Sequence, residues 1–313
     1  MLAKLPMEII DKVFGYLEET DQLKLAQVNQ QLGFAFAYHA RGTYERLHCS
    51  HTYTTYTAES NLKVILELCG STVVDLEIGF NFDGYAYAMN VIFKLIAKHC
   101  VNLQSAKVDI KNVNFNACKY LLPMKGLKTI ELNFYITSPE SDLLQYINPD
   151  CKVLTVNLIS NYQTQNIRKL INLEKLTVRR SKRDLRDISQ ILSNLKKLRV
   201  LSLQNCTYDP EIQEQEIVYP ELVKLELYNC NISTDLPKCP KLKSLSLKNN
   251  SYNGLGNICD TIASFASTVE HLIIITYDYD SNKFTAEQFI KTLGECKKLK
   301  WIDSNLCSRL LTY

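Results

Sequence analysis

The chain has 313 residues, 46% hydrophobic and 22% charged, with a net charge of +3. That is ample for a buried core, and the near-neutral balance disfavours a nucleic-acid partner, which would call for a stronger basic excess. No apolar run approaches the ~20 residues of a membrane-spanning helix, and Lys4, Glu8, Asp11 and Lys12 interrupt the N-terminus, unlike a secretory leader. The eleven cysteines are odd in number and include no Cys-x-x-Cys pair. Together these features predict a reduced, cytoplasmic or nuclear setting without membrane attachment, metal or other cofactor. His39, His48, His51, His99 and His271 fall in no nucleophile or metal pattern, and the glycines form no phosphate-cradling loop, so no enzymatic activity is expected.

Residues 1–40 read as short helices. Leu5-Pro6 opens the first, with Ile9, Val13 and Leu17 on one stripe and Ile10 and Phe14 beside it. Proline suits a first turn, where its missing N–H has no partner to lose. Asp21 is read as the N-cap of a second helix carrying Leu25, Val28, Leu32 and Phe36. Nearly every turn is apolar, including positions that should face solvent, which points to a docking surface. A cap over the open end of the following repeats is the alternative.

The same stretch resembles the F-box. The matching residues are Leu5-Pro6-Met7-Glu8-Ile9-Ile10, Val13-Phe14, Tyr16-Leu17, Asp21-Gln22-Leu23 and Leu25-Ala26-Gln27-Val28-Asn29. The sequence departs from the family at Gln30-Gln31-Leu32, where many F-boxes carry a basic-Trp-basic group. The resemblance implies that Leu5, Pro6, Ile9, Ile10, Val13, Phe14, Leu17, Leu25 and Val28 face a Skp-family adaptor and, through it, a cullin–RING ubiquitin ligase.

Residues 41–72 are expected to form a helical linker or N-terminal cap, with a helix over Glu59–Leu68 burying Leu62, Ile65, Leu66 and Cys69. From residue 73 to 313 one phrase recurs. Leu198-x-x-Leu201-x-Leu203-x-x-Cys206 returns 24 residues later as Leu222-x-x-Leu225-x-Leu227-x-x-Cys230. It can be followed back through Leu173, Cys151, Leu127 and Leu103 to Val73, and forward through Leu242 and Val269 to Leu299. The spacing resembles the leucine-rich repeat, at ~20–29 residues per unit. The expected fold is therefore α/β: a leucine-rich-repeat solenoid of about ten repeats, with a curved parallel sheet and convex helices, behind a small all-α module. Helical spacing marks Val91–Ile96, Leu143–Ile147, Ile167–Ile171, Ile188–Leu195 and Phe289–Leu293 as convex segments, and the proline-rich stretch after Ile232 as a short turn or extended segment.

Strand alternation identifies the outward sheet positions. They begin acidic at Asp75 and Glu77 and pass Lys107, Asp109, Glu131, Asn133, Thr155 and Asn157. They turn basic at Lys175 and Arg179, continue through Thr177, Ser202, Gln204, Lys224, Glu226, Tyr228, Ser246 and Lys248, and end at His271, Ile273, Ile275, Trp301 and Asp303. Such a gradient suits a protein or peptide partner, with Lys175, Arg179, Lys224, Tyr228, Ile273, Ile275 and Trp301 as the candidate target-binding residues. The run Arg179-Arg180-Ser181-Lys182-Arg183-Asp184-Leu185-Arg186 reads either as a clamp for an acidic or phosphorylated segment or as a solvated turn. The aromatic stretches around Tyr85 and Tyr277 read as rim loops, and the one at Tyr277 or the tail Leu310–Tyr313 as a possible cover for the late apolar face. The resemblance makes the chain a non-catalytic substrate receptor of a Skp–cullin–F-box ligase. The alternative is a leucine-rich scaffold without a ligase role.

Overall fold

The structure is a computed structural model. It describes residues 5–50, 59–79, 86–110, 115–135, 143–158, 164–180, 194–208, 218–232, 236–252, 258–276 and 285–305. The expected helix at Ile188–Leu195 falls almost entirely outside the described residues, as do the two rim loops, the tail and the basic run beyond Arg180. The fold is α/β, a parallel-strand solenoid with N-terminal helices, and the chain divides into two compact units, Met1–Asn148 and Pro149–Tyr313.

The first unit opens with α1 (Met7–Gly15), α2 (Glu19–Ala26) and α3 (Gln30–His39). The Pro6 carbonyl accepts the Ile9 and Ile10 amides at 3.1 and 3.2 Å and starts α1. The expected second helix is two helices, because Asn29 is extended and its side chain accepts the Leu32 amide at 3.0 Å, capping α3. Asp21 is not the cap of α2. It lies inside the first turn, paired with Lys24 at 2.9 Å, and Glu18 occupies the cap position. The core of the module is aromatic: the Phe14 and Phe36 rings lie 5.7 Å apart, and Phe36 and Tyr44 lie 6.2 Å apart. The Tyr44 hydroxyl donates to Glu19 at 2.9 Å, and His39 Nδ1 meets Asp11 at 2.7 Å, tying α3 to α1.

α4 (Glu59–Cys69) buries Leu62, Ile65, Leu66 and Cys69, as the spacing predicts. It lies so close to α3 that a Cβ on Gly33 would sit 3.2 Å from Leu68 Cδ2. Between them runs a strand that sequence reading missed, β1 (Arg46–Ser50), in the stretch expected to be a helical linker. It belongs to a shortened phrase, Tyr44-x-x-Leu47-x-Cys49, in which a tyrosine and a cysteine stand where leucines were sought; all three are buried. β1 pairs in parallel with β2 (Asp75–Gly79), β2 with β3 (Ser105–Ile110), and β3 with β4 (Thr129–Phe134). The convex side carries α5 (Ala86–His99), a single turn at Cys118–Leu121 and a 3₁₀ turn at Leu143–Tyr146, the last in place of a full helix.

The second unit continues with β5 (Val153–Leu158), β6 (Lys175–Arg180), β7 (Val200–Gln204), β8 (Thr207–Tyr208), β9 (Lys224–Tyr228), β10 (Asn231–Ile232), β11 (Ser244–Lys248), β12 (Ser251–Tyr252), β13 (His271–Ile275) and β14 (Trp301–Ser304). The long strands pair in parallel in the order β5-β6-β7-β9-β11-β13-β14. β8, β10 and β12 make a second small parallel sheet, and the turn that holds β12 also carries a short helix, Ile258–Ala263. The expected helix at Ile167–Ile171 is one turn, Thr164–Ile167, whereas Phe289 lies on the buried face of a full helix, Ala286–Glu295. Ile290 of that helix is 65% exposed and does not join the core.

All ten phrases lie on strands, and from Val73 through Ile274 their apolar positions are buried, most of them completely. The last phrase, Leu299 and Ile302, is only half-buried, as suits a terminal turn. One backbone device repeats. The carbonyl at the second position of a phrase accepts the two amides that begin the next strand: Arg199 O takes Val223 and Lys224 at 2.8 and 3.0 Å, and Val223 O takes Lys243 and Ser244 at 2.9 and 3.0 Å.

A second device turns the chain after β7, β9 and β11. Asn205, Asn229 and Asn249 have φ of 56°, 51° and 52°, the left-handed region that asparagine tolerates better than most residues. Asn229 Nδ2 donates to Asn205 Oδ1 at 2.6 Å, and Asn250 Nδ2 donates to the Leu227 carbonyl at 3.0 Å. Cys206 and Cys230 fill the turn interior, their thiols donating to the Gln204 carbonyl at 3.3 Å and the Leu203 carbonyl at 3.4 Å. Asn229→Ala should therefore destabilise the second unit by about 1–2 kcal/mol. Asn229→Gly, which restores the backbone freedom but not the ladder bond, should cost less. Urea midpoints of the two variants test that order.

Candidate functional site

On α1, the helical repeat separates two faces that the sequence reading had merged. Ile10 and Phe14 point inward and are 1% and 0% exposed. They pack the module and present nothing to a partner, so they are corrected from docking residues to core residues. Ile9 is 43% exposed, and with half-buried Val13 and fully exposed Tyr16 it forms the outward stripe, at i, i+4 and i+7. Pro6 is exposed, while Leu5, Leu17 and Leu25 are half-buried at the margins. Val28, in the link before α3, is 67% exposed. The reading missed a second outward pair, Phe34 and Tyr38 on α3, four residues apart, with the Arg41 guanidinium 4.2 Å from the Tyr38 ring centroid. Six of the thirteen large apolar side chains that stand exposed among the described residues lie between Met7 and Tyr38.

On the open sheet face of the first unit, charges pair across neighbouring strands. His48 Nδ1 and Lys107 Nζ both reach Glu77, at 3.0 and 2.6 Å, and Arg46 pairs with Asp75 at 3.6 Å. The hydrogen bond to Glu77 holds the Lys107 ammonium above its ordinary pKa, with desolvation opposing and Glu131 and Asp109 assisting. Asn133 donates to Asp109 at 3.1 Å. The acidic start read from the sequence is thus a ladder of cross-strand pairs.

The open face of the second unit differs. Register aligns Lys175, Val200, Lys224, Ser244, His271 and Trp301 in one row, and Arg179, Gln204, Tyr228, Lys248 and Ile275 in another. Between them runs Thr177, Ser202, Glu226, Ser246, Ile273 and Asp303. Thr177, Ser202 and Ser246 were expected to be exposed and are buried, because these short side chains sink below the long ones of the flanking rows. Val200, an outward position, was not read. Lys175, Arg179, Tyr228 and Trp301 are exposed, and Lys224, Ile273 and Ile275 are half-buried. Lys224 is held by Glu226 at 2.7 Å, and the His271 and Trp301 rings lie 6.5 Å apart.

Among the described residues, ten cysteines are free and buried. Burial pushes the thiols of Cys49, Cys69, Cys100, Cys118 and Cys239 up to about 12, so they stay protonated and serve as small apolar side chains. No group of three or more His, Cys, Asp or Glu among the described residues is placed to hold a metal ion. No described helix is long and apolar enough to cross a membrane. No family model matches the sequence, and no curated protein matches it.

At the strand entrances of the second unit the charges alternate. Lys152 meets Glu174 at 2.8 Å, and Glu270 is held between Lys243 at 3.1 Å and Lys300 at 2.6 Å. The two lysines, Lys300 foremost, bring the Glu270 carboxyl from an ordinary 4.5 to about 2. A carboxyl depressed in the folded state contributes stability above its unfolded pKa and loses it as pH falls through the folded value. The stability difference between the parent and Glu270→Gln should therefore be full at neutral pH and shrink between 4.5 and about 2. Urea unfolding across that range measures it.

Proposed function

We propose that the chain is a non-catalytic receptor subunit. In this reading the solenoid is a leucine-rich-repeat array that holds a target protein on its open sheet face. Helices α1–α3 are an F-box-like module that docks a Skp-family adaptor and, through it, a cullin-based ubiquitin ligase. The observation that carries the reading is the outward stripe on α1 and its neighbours. Ile9, Phe34 and Tyr38 on α1 and α3, and Tyr16 and Val28 just outside the helices, stand in solvent, while the inner faces are already filled by Ile10, Phe14, Leu23, Leu32 and Phe36. A module that only capped the solenoid would turn its large apolar side chains toward the repeats, and these point away from the core. The residue pattern from Leu5-Pro6 to Val28-Asn29 supplies the kind of partner.

The receptor performs no bond chemistry of its own. It lowers the barrier to ubiquitin transfer by holding target and ligase together, turning a bimolecular encounter into a local one. A reduced cytoplasmic or nuclear setting fits the ten free thiols among the described residues.

Capture of a Skp adaptor and cullin by the full chain tests the proposal. Deleting residues 1–40 would uncover the α4 side that meets Gly33, so point replacements are cleaner. Ile9→Asp should abolish capture while leaving the urea midpoint unchanged, since Ile9 is exposed. Phe14→Ala should instead cost about 3–5 kcal/mol of stability in the first unit, because it empties a filled aromatic core. Capture that survives Ile9→Asp overturns the assignment of the stripe. Failure of the folded parent to capture any adaptor leaves a binding scaffold without a ligase role.

A further inference from the structure

We propose that the open face of β6, β7, β9 and β11 is a docking track for an Asp/Glu-rich segment of the target; this rests on the receptor reading above and names the chemistry of what is received.

Among the described residues several charges are paired between adjacent turns. Arg46 meets Asp75, Lys107 meets Glu77, Lys152 meets Glu174, Lys241 meets Glu221, and Lys243 and Lys300 share Glu270. The track carries a basic excess. Its outward positions hold Lys175, Arg179, Lys224 and Lys248 against one carboxylate, Glu226, which is already bound to Lys224. Among the described residues no carboxylate pairs with Lys175 or Lys248. Lys175 and Lys248 lie in the two outer rows, and the row between them is lowered wherever it holds Thr177, Ser202 or Ser246. The result is a shallow channel whose floor holds Thr177, Ser202, Glu226 and Ser246 and whose walls include Lys175, Arg179, Lys224 and Lys248.

The dimensions suit an extended chain. From β6 to β11 is three strand steps of ~4.8 Å, about 14 Å, the reach of about four extended residues at ~3.3 Å each. Buried hydroxyls on the floor can donate to carboxylates or to a peptide backbone. Three of the four cations on the walls are lysines, and point charges of this kind suit carboxylates, whereas a phosphate site favours the bidentate fork of arginine. Toward β13 and β14 the face becomes apolar at Ile273, Ile275 and Trp301, a continuation that fits a protein segment and offers nothing to a phosphodiester backbone.

Fluorescein-labelled octaglutamate, titrated into the full chain and read by anisotropy, tests the track. The comparison arms are octalysine, an octamer of phosphoserine and a uridine dodecamer. Octaglutamate should bind, and binding should weaken as salt rises from about 0.05 to 0.5 M. The double variant Lys175→Glu/Lys248→Glu should weaken it at least about tenfold. Lys291→Glu, an equal charge change at an exposed position of helix Ala286–Glu295, should alter it less than about twofold. If the double variant fails to fold by urea melt, Lys175→Gln/Lys248→Gln replaces it with the same expectation in smaller degree. Absence of octaglutamate binding, or equal losses in the double variant and Lys291→Glu, overturns the proposal. Tighter binding of phosphoserine or of the uridine dodecamer overturns the choice of a carboxylate segment. Adaptor capture measured on the same preparations separates the two readings. Capture without octaglutamate binding removes the track alone, and octaglutamate binding without capture removes the ligase connection alone.

Discussion

Within each unit the backbone carbonyl at the second position of a phrase takes both amides at the start of the next strand, and the parallel register follows from it. Lys243 O accepts Glu270 and His271 at 2.8 and 2.9 Å, and Glu270 O accepts Lys300 and Trp301 at 2.8 and 3.2 Å. Once the first residue of a strand is fixed, alternation decides the rest. Leu225 and Leu227 go in, and Lys224 and Glu226 come out. A slip of one residue would bury that lysine and glutamate together, so the core enforces what the carbonyl begins. The side chains at the same position run Lys152, Glu174, Arg199 and, further on, Lys243, Glu270, Lys300. Each such ion pair is weak in solvent, but the pairs Lys152–Glu174, Lys243–Glu270 and Lys300–Glu270 favour the same alignment.

How much of this could be read from residues alone depended on whether a position's fate was local. The phrase was legible because its apolar positions are buried whatever the neighbouring turns contain, which is why the strands from Val73 onward fell where expected. β1 escaped because Tyr44 and Cys49 fill the leucine places. A tyrosine is tolerated there because the module supplies Glu19 for its hydroxyl, a contact between distant parts of the chain. The division of the second expected helix lay in one residue, Asn29, whose capping power was not weighed against the continuing apolar spacing. The sinking of Thr177, Ser202 and Ser246 was not legible, since it depends on the length of the side chains beside them.

The two candidate surfaces differ in how their physical character arises. On α1 the distinction between Ile9 and Ile10 is a rotation of about 100° along one helix, enough to send one to solvent and the other to the Phe14–Phe36 core. On the open sheet of the second unit, character comes from register. No single strand is strongly charged, yet Lys175, Lys224 and Lys248 are brought onto one face by turns 20 to 25 residues long. The module is also firmly seated in the first unit. Gly33 lets α3 approach Leu68 closely, and Tyr44 joins the aromatic core just before β1 begins.

Because each turn is anchored where its strand begins, differences in length accumulate on the other side of the repeat. Successive phrases are 20 to 30 residues apart, and the excess is taken up after the strand: as α5 in one turn, as the two-residue strands β8, β10 and β12 in others. Lengthening a flexible connection adds only about 0.6 kcal/mol for each doubling. Such an architecture can gain or lose peripheral segments over evolutionary time while the sheet keeps its spacing, so new recognition elements can be grafted beside an unchanged face.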